Sequence, residues 1–125
     1  MALKDVRILI VDDEQFFRQV LRAVLEKIGF TVVGEAATGD EALQQYRALR
    51  PHIVIMDIYM PEKNGIDATK DLVALDPNAR VLVASASDFD SDIQAAYNAG
   101  AKGNLMKPFV PKEIYETIRK VLTGT

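Results

Sequence analysis

The chain has 125 residues, of which 49% are hydrophobic and 26% are charged. These proportions are typical of a globular domain and argue against intrinsic disorder and collagen-like repeats. The net charge of -3 and the scattered Lys and Arg residues give no basic face for nucleic acid or anionic lipid. No apolar run approaches the roughly 18 residues of a membrane span. We therefore expect one soluble, cytoplasmic domain over residues 1–125, without membrane insertion.

The sequence contains no cysteine and one histidine, His52. Thiol nucleophiles, disulfides and cysteine-ligated metals are therefore excluded, and a cluster of histidine ligands is impossible. His52 follows Pro51 at the start of a predicted strand, so we expect a solvated or strand-start imidazole rather than a phosphate carrier. A metal bound by this chain would need oxygen ligands.

Five short segments rich in β-branched and aliphatic residues predict five strands. The first, third and fourth are nearly continuous apolar runs, which is typical of parallel strands covered on both faces. The second contains Gly34 and Glu35, and the fifth contains Gly103 and Asn104, so we expect both at sheet edges. In chain order the predicted strands are residues 6–11, 31–36, 52–56, 80–84 and 102–106.

A helix is predicted between each strand and the next, and after the last. Apolar residues recur at three- and four-residue spacing from Phe17 to Ile28, and Gly29 follows where a left-handed cap belongs. Residues 38–41 have the form of a capping box ahead of the second helix, which ends before Pro51. The remaining helices are predicted over residues 66–75, 90–99 and 111–122.

The alternation of strands and helices predicts an α/β fold with a five-stranded parallel sheet and helices on both faces. Placing the two less apolar strands at the edges gives the order 2-1-3-4-5, the doubly wound, flavodoxin-like (βα)5 arrangement. In such sheets ligands bind beyond the carboxyl ends of the strands, where the strand order reverses. That point lies between the first and third strands here.

Charged or polar residues end four of the five predicted strands. Asp12 and Asp13 follow the first, Asp57 follows the third, Ser85 the fourth and Lys107 the fifth. Each has an ordinary explanation when taken alone, such as capping of the first helix by the acid pair. Their convergence on one edge of the sheet instead predicts a functional site.

The chemistry of these residues predicts phosphoryl transfer. Neighbouring carboxylates repel one another, since a like-charged pair 4 Å apart costs about 4 kcal/mol at an effective dielectric of 20. Mg²⁺ would relieve this repulsion, because it takes one or two carboxylates and leaves positions for water and phosphate oxygens. Lys107 and Ser85 add an ammonium and a hydroxyl donor, which suit a phosphoryl group. Asp57, at the centre of the row, is the predicted nucleophile that forms an acyl phosphate.

The sequence resembles CheY-like response-regulator receiver domains over essentially its whole length. The resemblance rests on ILIVDDE at the first strand, IVIMDIYMPEKNG at the third, VLVASAS at the fourth and GAKGNLMKPF at the fifth. Receivers of this family have the strand order given above, so that order is not independent of the resemblance. The resemblance implies a signalling switch of a two-component or chemotaxis pathway, not an enzyme. Its phosphodonor would be a histidine kinase or phosphotransfer protein.

The resemblance also implies a ligand set for Mg²⁺. Asp13, Asp57 and the backbone carbonyl of Tyr59 would bind the ion directly, and Asp12 would bind it through water. Asp57 would be the phosphoacceptor. Tyr59 and Ser87 would flank the approach of hydrolytic water, and the bulk of Tyr59 is expected to slow dephosphorylation.

Two further residues are implied to act on the phosphoryl group. Ser85 would bind an oxygen when the switch closes, and Lys107 would pair with the phosphate across an expected cis bond to Pro108. A downstream target would bind the fourth helix, fifth strand and fifth helix. Family members commonly carry Tyr or Phe three residues before the lysine, whereas this chain has Asn104. Either Ser85 and the loop after it carry the change alone, or another side chain takes the place of that aromatic ring.

Three other classes of protein share parts of this pattern. Aspartyl-nucleophile phosphatases use a similar sheet, but they carry a second Asp as general acid at the position of Tyr59. A flavin-binding domain would place phosphate beyond the first strand, where Asp12, Asp13 and Glu14 would repel it. An interaction module that is never phosphorylated is disfavoured by the complete set of acids, Ser85 and Lys107.

Overall fold

The computed structural model describes residues 2–86 and 90–124, which contain five parallel strands in one sheet. The strands are β1 (Arg7–Val11), β2 (Thr31–Ala36), β3 (Ile53–Asp57), β4 (Val81–Ser85) and β5 (Gly103–Met106). Their order is β2-β1-β3-β4-β5, which confirms the predicted α/β fold and topology. Every strand begins and ends within one residue of its predicted bounds.

Each strand is followed by one helix, and a short 3-10 turn (Leu3–Asp5) precedes β1. None of the helices in the described segments is both long enough and apolar enough to span a bilayer. The helices are α1 (Gln15–Ile28), α2 (Gly39–Leu49), α3 (Gly65–Leu75), α4 (Asp90–Asn98) and α5 (Pro111–Thr123).

The apolar core forms two layers because alternate residues of a strand point to opposite faces of the sheet. Leu9 and Val54 belong to the layer that holds the buried residues of α2 and α3. Ile8 and Ile53, their neighbours along the strands, belong to the layer that holds the buried residues of α1 and α5. The interior strands are thus covered on both faces, which fixes the position of the residues at their carboxyl ends.

The two outer strands are less buried than the inner three, as the sequence predicts. In β2 and β5, buried residues are interspersed with partly exposed ones, whereas every residue of β3 and β4 is buried. Gly103 packs closely against Leu82 of β4, since an added Cβ would lie 3.0 Å from that side chain. The sheet therefore has two accessible edges and a buried centre.

Local hydrogen bonds account for the ends of several elements. Thr38 caps α2, because its hydroxyl oxygen accepts from the N–H of Glu41 at 3.1 Å. The Glu41 carboxylate accepts from the N–H of Ala37 at 3.3 Å, one residue before the cap, rather than from Thr38 itself.

His52 accepts a hydrogen bond from the N–H of Arg7 through Nδ1 at 3.0 Å, at the amino end of β3. The imidazole thus joins β1 to β3 at the end of the sheet opposite Asp57.

Candidate functional site

Three aspartates meet at the carboxyl ends of β1 and β3. Oxygen atoms of Asp12, Asp13 and Asp57, one from each carboxylate, lie within 4.8 Å of one another. They are brought together because β1 and β3 are neighbours, with Val11 opposite Met56 at the ends of the two strands. Asp12 and Asp57 are each only 6% exposed, while Asp13 is the most exposed of the three. The repulsion expected from the sequence therefore involves two buried carboxylates and one more exposed carboxylate.

Lys107 supplies positive charge to this pocket. Its Nζ donates to Asp12 Oδ2 and to Asp57 Oδ1, each at 3.2 Å. The same ammonium lies 4.3 Å from the ring centroid of Phe17 on α1, where the aromatic face attracts a cation. The sequence indicated Phe17 only as an apolar helix position, so this contact was not predicted. Lys107 is followed by a cis peptide bond to Pro108, as the resemblance implied.

The electrostatics of the pocket favour a further cation. Burial raises the pKa of Asp57 to about 6, the Asp12 carboxylate adds to the rise, and Lys107 opposes it. Burial lowers the pKa of Lys107, but the attraction of Asp57 and Asp12 outweighs burial, so this pKa lies above its ordinary value. Three carboxylates beside one ammonium leave a net negative charge when all are ionised, and the Asp12 carboxylate adds to the rise in the pKa of Asp57.

Ser85 is the last residue of β4, the strand next to the one that ends in Asp57. It is 4% exposed, and it lies one position beyond Ala84, the residue opposite Asp57 in the sheet. The carbonyl of Ser85 accepts from the N–H of Lys107 at 3.0 Å, so the backbones of the two predicted phosphate-binding residues are joined. Ser87, the other residue expected beside hydrolytic water, lies outside the described residues.

Two tyrosines connect α4 to other parts of the site region. The hydroxyl of Tyr59, a side chain that is 51% exposed, donates to Asp92 of α4. The hydroxyl of Tyr97 on α4 donates to Oδ1 of Asn104 on β5 at 3.0 Å. At the β5 position where the resemblance predicts an aromatic ring, an amide therefore binds an aromatic side chain from the neighbouring helix.

Gly65 is a residue of the site region that the sequence analysis missed. An added Cβ would lie 2.0 Å from the backbone carbonyl oxygen of Asp57. The N–H of Gly65 also donates to the carbonyl of Ile58 at 2.7 Å, which draws the start of α3 against the end of β3. A signal was present, because glycine occupies the first position of a helix that Asn64 already caps. This signal for a close backbone approach is weak, because Gly39 at the same position of α2 meets only side-chain atoms.

Comparison with known proteins agrees with this fold. Residues 8–119 match the model of the response regulator receiver domain. The chain is 47% identical over 115 residues to the chemotaxis protein CheY of Thermotoga maritima, covering 92% of this chain and 96% of that protein. It is 43% identical over 116 residues to CheY of Bacillus subtilis, covering 93% of this chain and 97% of that protein.

A solved structure shows the same architecture. In the CheX–CheY–BeF3–Mg complex from Borrelia burgdorferi, the matching chain has a TM-score of 0.87 and 31% identity, with 92% of this chain and 87% of that chain covered. The fold and the acidic pocket thus define a CheY-like receiver. The chain belongs to the response regulator receiver domain family, whose members are signalling switches of two-component or chemotaxis pathways.

We expect Gly65→Ala to lower the free energy of unfolding by about 3 kcal/mol, because the new Cβ meets backbone atoms that cannot move aside easily. Gly39→Ala is the matched control at the first residue of α2, where the nearest atom is the flexible Cδ of Lys63 at 2.9 Å. Its effect should stay below about 1 kcal/mol. Urea unfolding measures both variants, and equal losses would contradict the close-approach explanation.

We also expect Asp57→Asn to stabilise the metal-free protein in a pH-dependent manner. An acid whose pKa rises from 3.8 to about 6 on folding binds its proton more tightly in the folded state. Stability is therefore lost as the pH rises from about 4 to 6. The free energy of unfolding of the variant should exceed that of the wild type by on the order of 2–3 kcal/mol at pH 7.5, and by much less at pH 4.

The measurement is urea unfolding in EDTA at the two pH values. Asp67→Asn, which removes an exposed carboxylate from the first turn of α3, serves as the control and should show no such gain. A stabilisation of Asp57→Asn that is the same at both pH values would contradict this account of the pocket.

Proposed function

We propose that residues 1–125 act as one receiver domain that accepts a phosphoryl group on Asp57. The donor is the phosphohistidine of a histidine kinase or phosphotransfer protein, and Mg²⁺ is bound by the neighbouring carboxylates. One observation carries this proposal. The three aspartates have oxygens within 4.8 Å of one another, and Lys107 lies 3.2 Å from two of them.

The donor set fits a hard divalent cation. All available ligand atoms are oxygens, which suit Mg²⁺ better than softer metals. Three carboxylates and one ammonium leave two negative charges, which one divalent ion balances. Asp12 already accepts from Lys107 and from the N–H of Glu14, which supports a water-mediated role for it. Asp13, Asp57 and the carbonyl of Tyr59 are the proposed direct ligands.

In the proposed reaction, a carboxylate oxygen of Asp57 attacks the phosphorus atom of the donor. The new O–P bond forms as the P–N bond to the donor imidazole breaks, and the imidazole leaves with its electron pair and takes up a proton. Above pH 6 most Asp57 side chains are ionised, since their pKa is about 6, so the nucleophile is present at neutral pH. The bound metal ion would supply positive charge to the phosphoryl oxygens.

Lys107 and Ser85 are the residues proposed to stabilise the transferred group. The Lys107 ammonium is already 3.2 Å from Asp57 Oδ1, so a phosphoryl group on Asp57 would lie within its reach. Ser85 reaches the same edge from β4. Charge-assisted hydrogen bonds of this kind, held in a buried site, are strong contributors to transition-state stabilisation.

Phosphorylation is proposed to act on the surface formed by α4, β5 and α5. The new group brings about two negative charges and attracts Ser85 and Lys107, whose backbones are hydrogen bonded to each other. The Tyr97–Asn104 hydrogen bond joins α4 to β5 on this surface. A downstream target protein would bind there. The related CheY solved with CheX, BeF3 and Mg supports a partner-binding switch.

The phosphatase alternative gains no support from the geometry. The position that would carry a general acid holds Tyr59, whose hydroxyl donates to Asp92. Tyr59 therefore offers no carboxyl proton for turnover. We propose instead that Asp57 phosphate is hydrolysed slowly enough to act as a signal.

We expect the wild type to gain one phosphoryl group when it is incubated with Mg²⁺ and a small acyl- or amidophosphate donor. Phosphoryl incorporation in Asp57→Asn should fall to background, because the nucleophilic oxygen and its charge are lost. Asp67→Asn should react like the wild type, and EDTA should suppress the reaction. Intact-mass analysis measures all four samples.

Undiminished incorporation in Asp57→Asn would remove this residue from its proposed role. Sustained release of phosphate from unrelated phosphomonoesters would favour the phosphatase class instead.

A further inference from the structure

Arg18, on the first turn of α1, connects two strands of the sheet beside the acidic pocket. Its Nη1 donates to the backbone carbonyl oxygen of Asp12 at 2.6 Å, and its Nε donates to Oε1 of Glu35 on β2 at 3.1 Å. The Arg18 side chain is only 16% exposed. A planar guanidinium presents its N–H groups in a fixed geometry, so it holds two acceptors in one defined orientation.

The bond from Arg18 completes the hydrogen bonding of Asp12. The N–H of Asp12 donates to Ala36 at 3.0 Å, Oδ1 accepts from the N–H of Glu14 at 2.9 Å, and Oδ2 accepts from Lys107. Because the Asp12 carbonyl belongs to the planar peptide that leads into Asp13, fixing this oxygen also fixes the direction in which the chain enters Asp13.

The orientation of the Asp13 carboxylate depends on the Asp12–Asp13 peptide more than that of the Asp12 carboxylate does. Asp12 is nearly buried and held through both carboxylate oxygens, whereas Asp13 is the most exposed of the three aspartates. The direction of the Asp13 carboxylate into the pocket is therefore sensitive to rotation of the peptide before it. Arg18 opposes that rotation.

Glu35 holds Arg18 in place. Its second oxygen, Oε2, accepts from Nε of Arg22 at 2.8 Å, so the Glu35 carboxylate lies between two arginines of α1. The carboxylate orients the guanidinium of Arg18. Because Arg22 also binds Glu26, the two arginines and two glutamates together carry no net charge that would oppose a metal ion nearby. The contact therefore supplies orientation without adding an unpaired positive charge to the site.

We propose that Arg18 is a positioning residue for divalent-cation binding, and that it acts by orienting Asp13 through the Asp12–Asp13 peptide. The proposal rests on the proposed Mg²⁺ site. Replacing a residue that hydrogen bonds to a metal ligand and orients it typically lowers metal affinity by roughly 10- to 100-fold. We therefore expect Arg18→Gln to weaken Mg²⁺ binding by roughly tenfold or more.

Arg22→Gln is the matched control. Arg22 lies one turn further along α1 and binds the same Glu35 carboxylate, but its described hydrogen bonds are to Glu35 and Glu26 rather than to Asp12. Its Mg²⁺ affinity should stay within about twofold of the wild type, since its loss leaves the Arg18–Asp12 bond intact. Calorimetric titration with MgCl₂ gives the dissociation constants, and thermal unfolding in EDTA shows whether each variant is folded.

A second readout separates positioning from general loss of structure. The rate of phosphorylation by a small phosphodonor is measured against Mg²⁺ concentration. In Arg18→Gln the half-saturating concentration should rise by the same factor as the dissociation constant, while the rate at saturating Mg²⁺ approaches the wild-type value. A merely structural defect would lower the saturated rate instead, and that result would overturn the proposal.

The outcomes distinguish this proposal from the one on which it rests. Absence of Mg²⁺ binding by the wild type would overturn both. Two outcomes would overturn only the role of Arg18, provided that the wild type binds Mg²⁺. One is normal Mg²⁺ affinity in Arg18→Gln, and the other is an equal loss of affinity in Arg18→Gln and Arg22→Gln. If Arg18→Gln does not fold, Arg18→Lys retains the charge without the planar fork, and the same weakening is expected. Normal affinity in that variant would overturn the proposal.

Discussion

Repulsion among three carboxylates at the carboxyl ends of β1 and β3 is the constraint on which the other features of the site depend. Asp12 and Asp57 are buried, so water screens their charges poorly. Lys107 reaches both of them, yet the pKa of Asp57 still rises to about 6. The pocket therefore favours added positive charge, which the proposed Mg²⁺ would supply.

The fold prevents the carboxylates from relieving this repulsion by moving apart. β1 and β3 are neighbours in a sheet that is covered on both faces, so their ends are fixed relative to each other. The hydrogen bond from the Gly65 N–H to the Ile58 carbonyl holds the start of α3 against the end of β3, and Arg18 holds the chain after β1. Repulsion between the fixed carboxylates thus lowers the stability of the protein at this edge of the sheet, as is common at functional sites.

Much of this arrangement could be predicted from the sequence, because it depends on patterns that are local along the chain. Apolar runs locate the strands, and parallel strands necessarily bring their carboxyl ends to one edge, so Asp57 and Lys107 could be expected to meet. The contacts of Phe17 with Lys107 and of Tyr97 with Asn104 could not be predicted. They depend on side-chain direction between separate elements, and an aromatic residue in an amphipathic helix ordinarily indicates core packing.

The most direct test of this account is the titration of the Asp57 carboxyl carbon by NMR, with and without Mg²⁺. In EDTA the pKa should lie near 6, because burial and the Asp12 carboxylate favour the protonated form. Saturating Mg²⁺ should lower the pKa below the ordinary value for aspartate, because a bound cation favours the ionised form. An Asp57 that titrates at an ordinary pKa in EDTA, or whose pKa does not change when Mg²⁺ is added, would contradict the account.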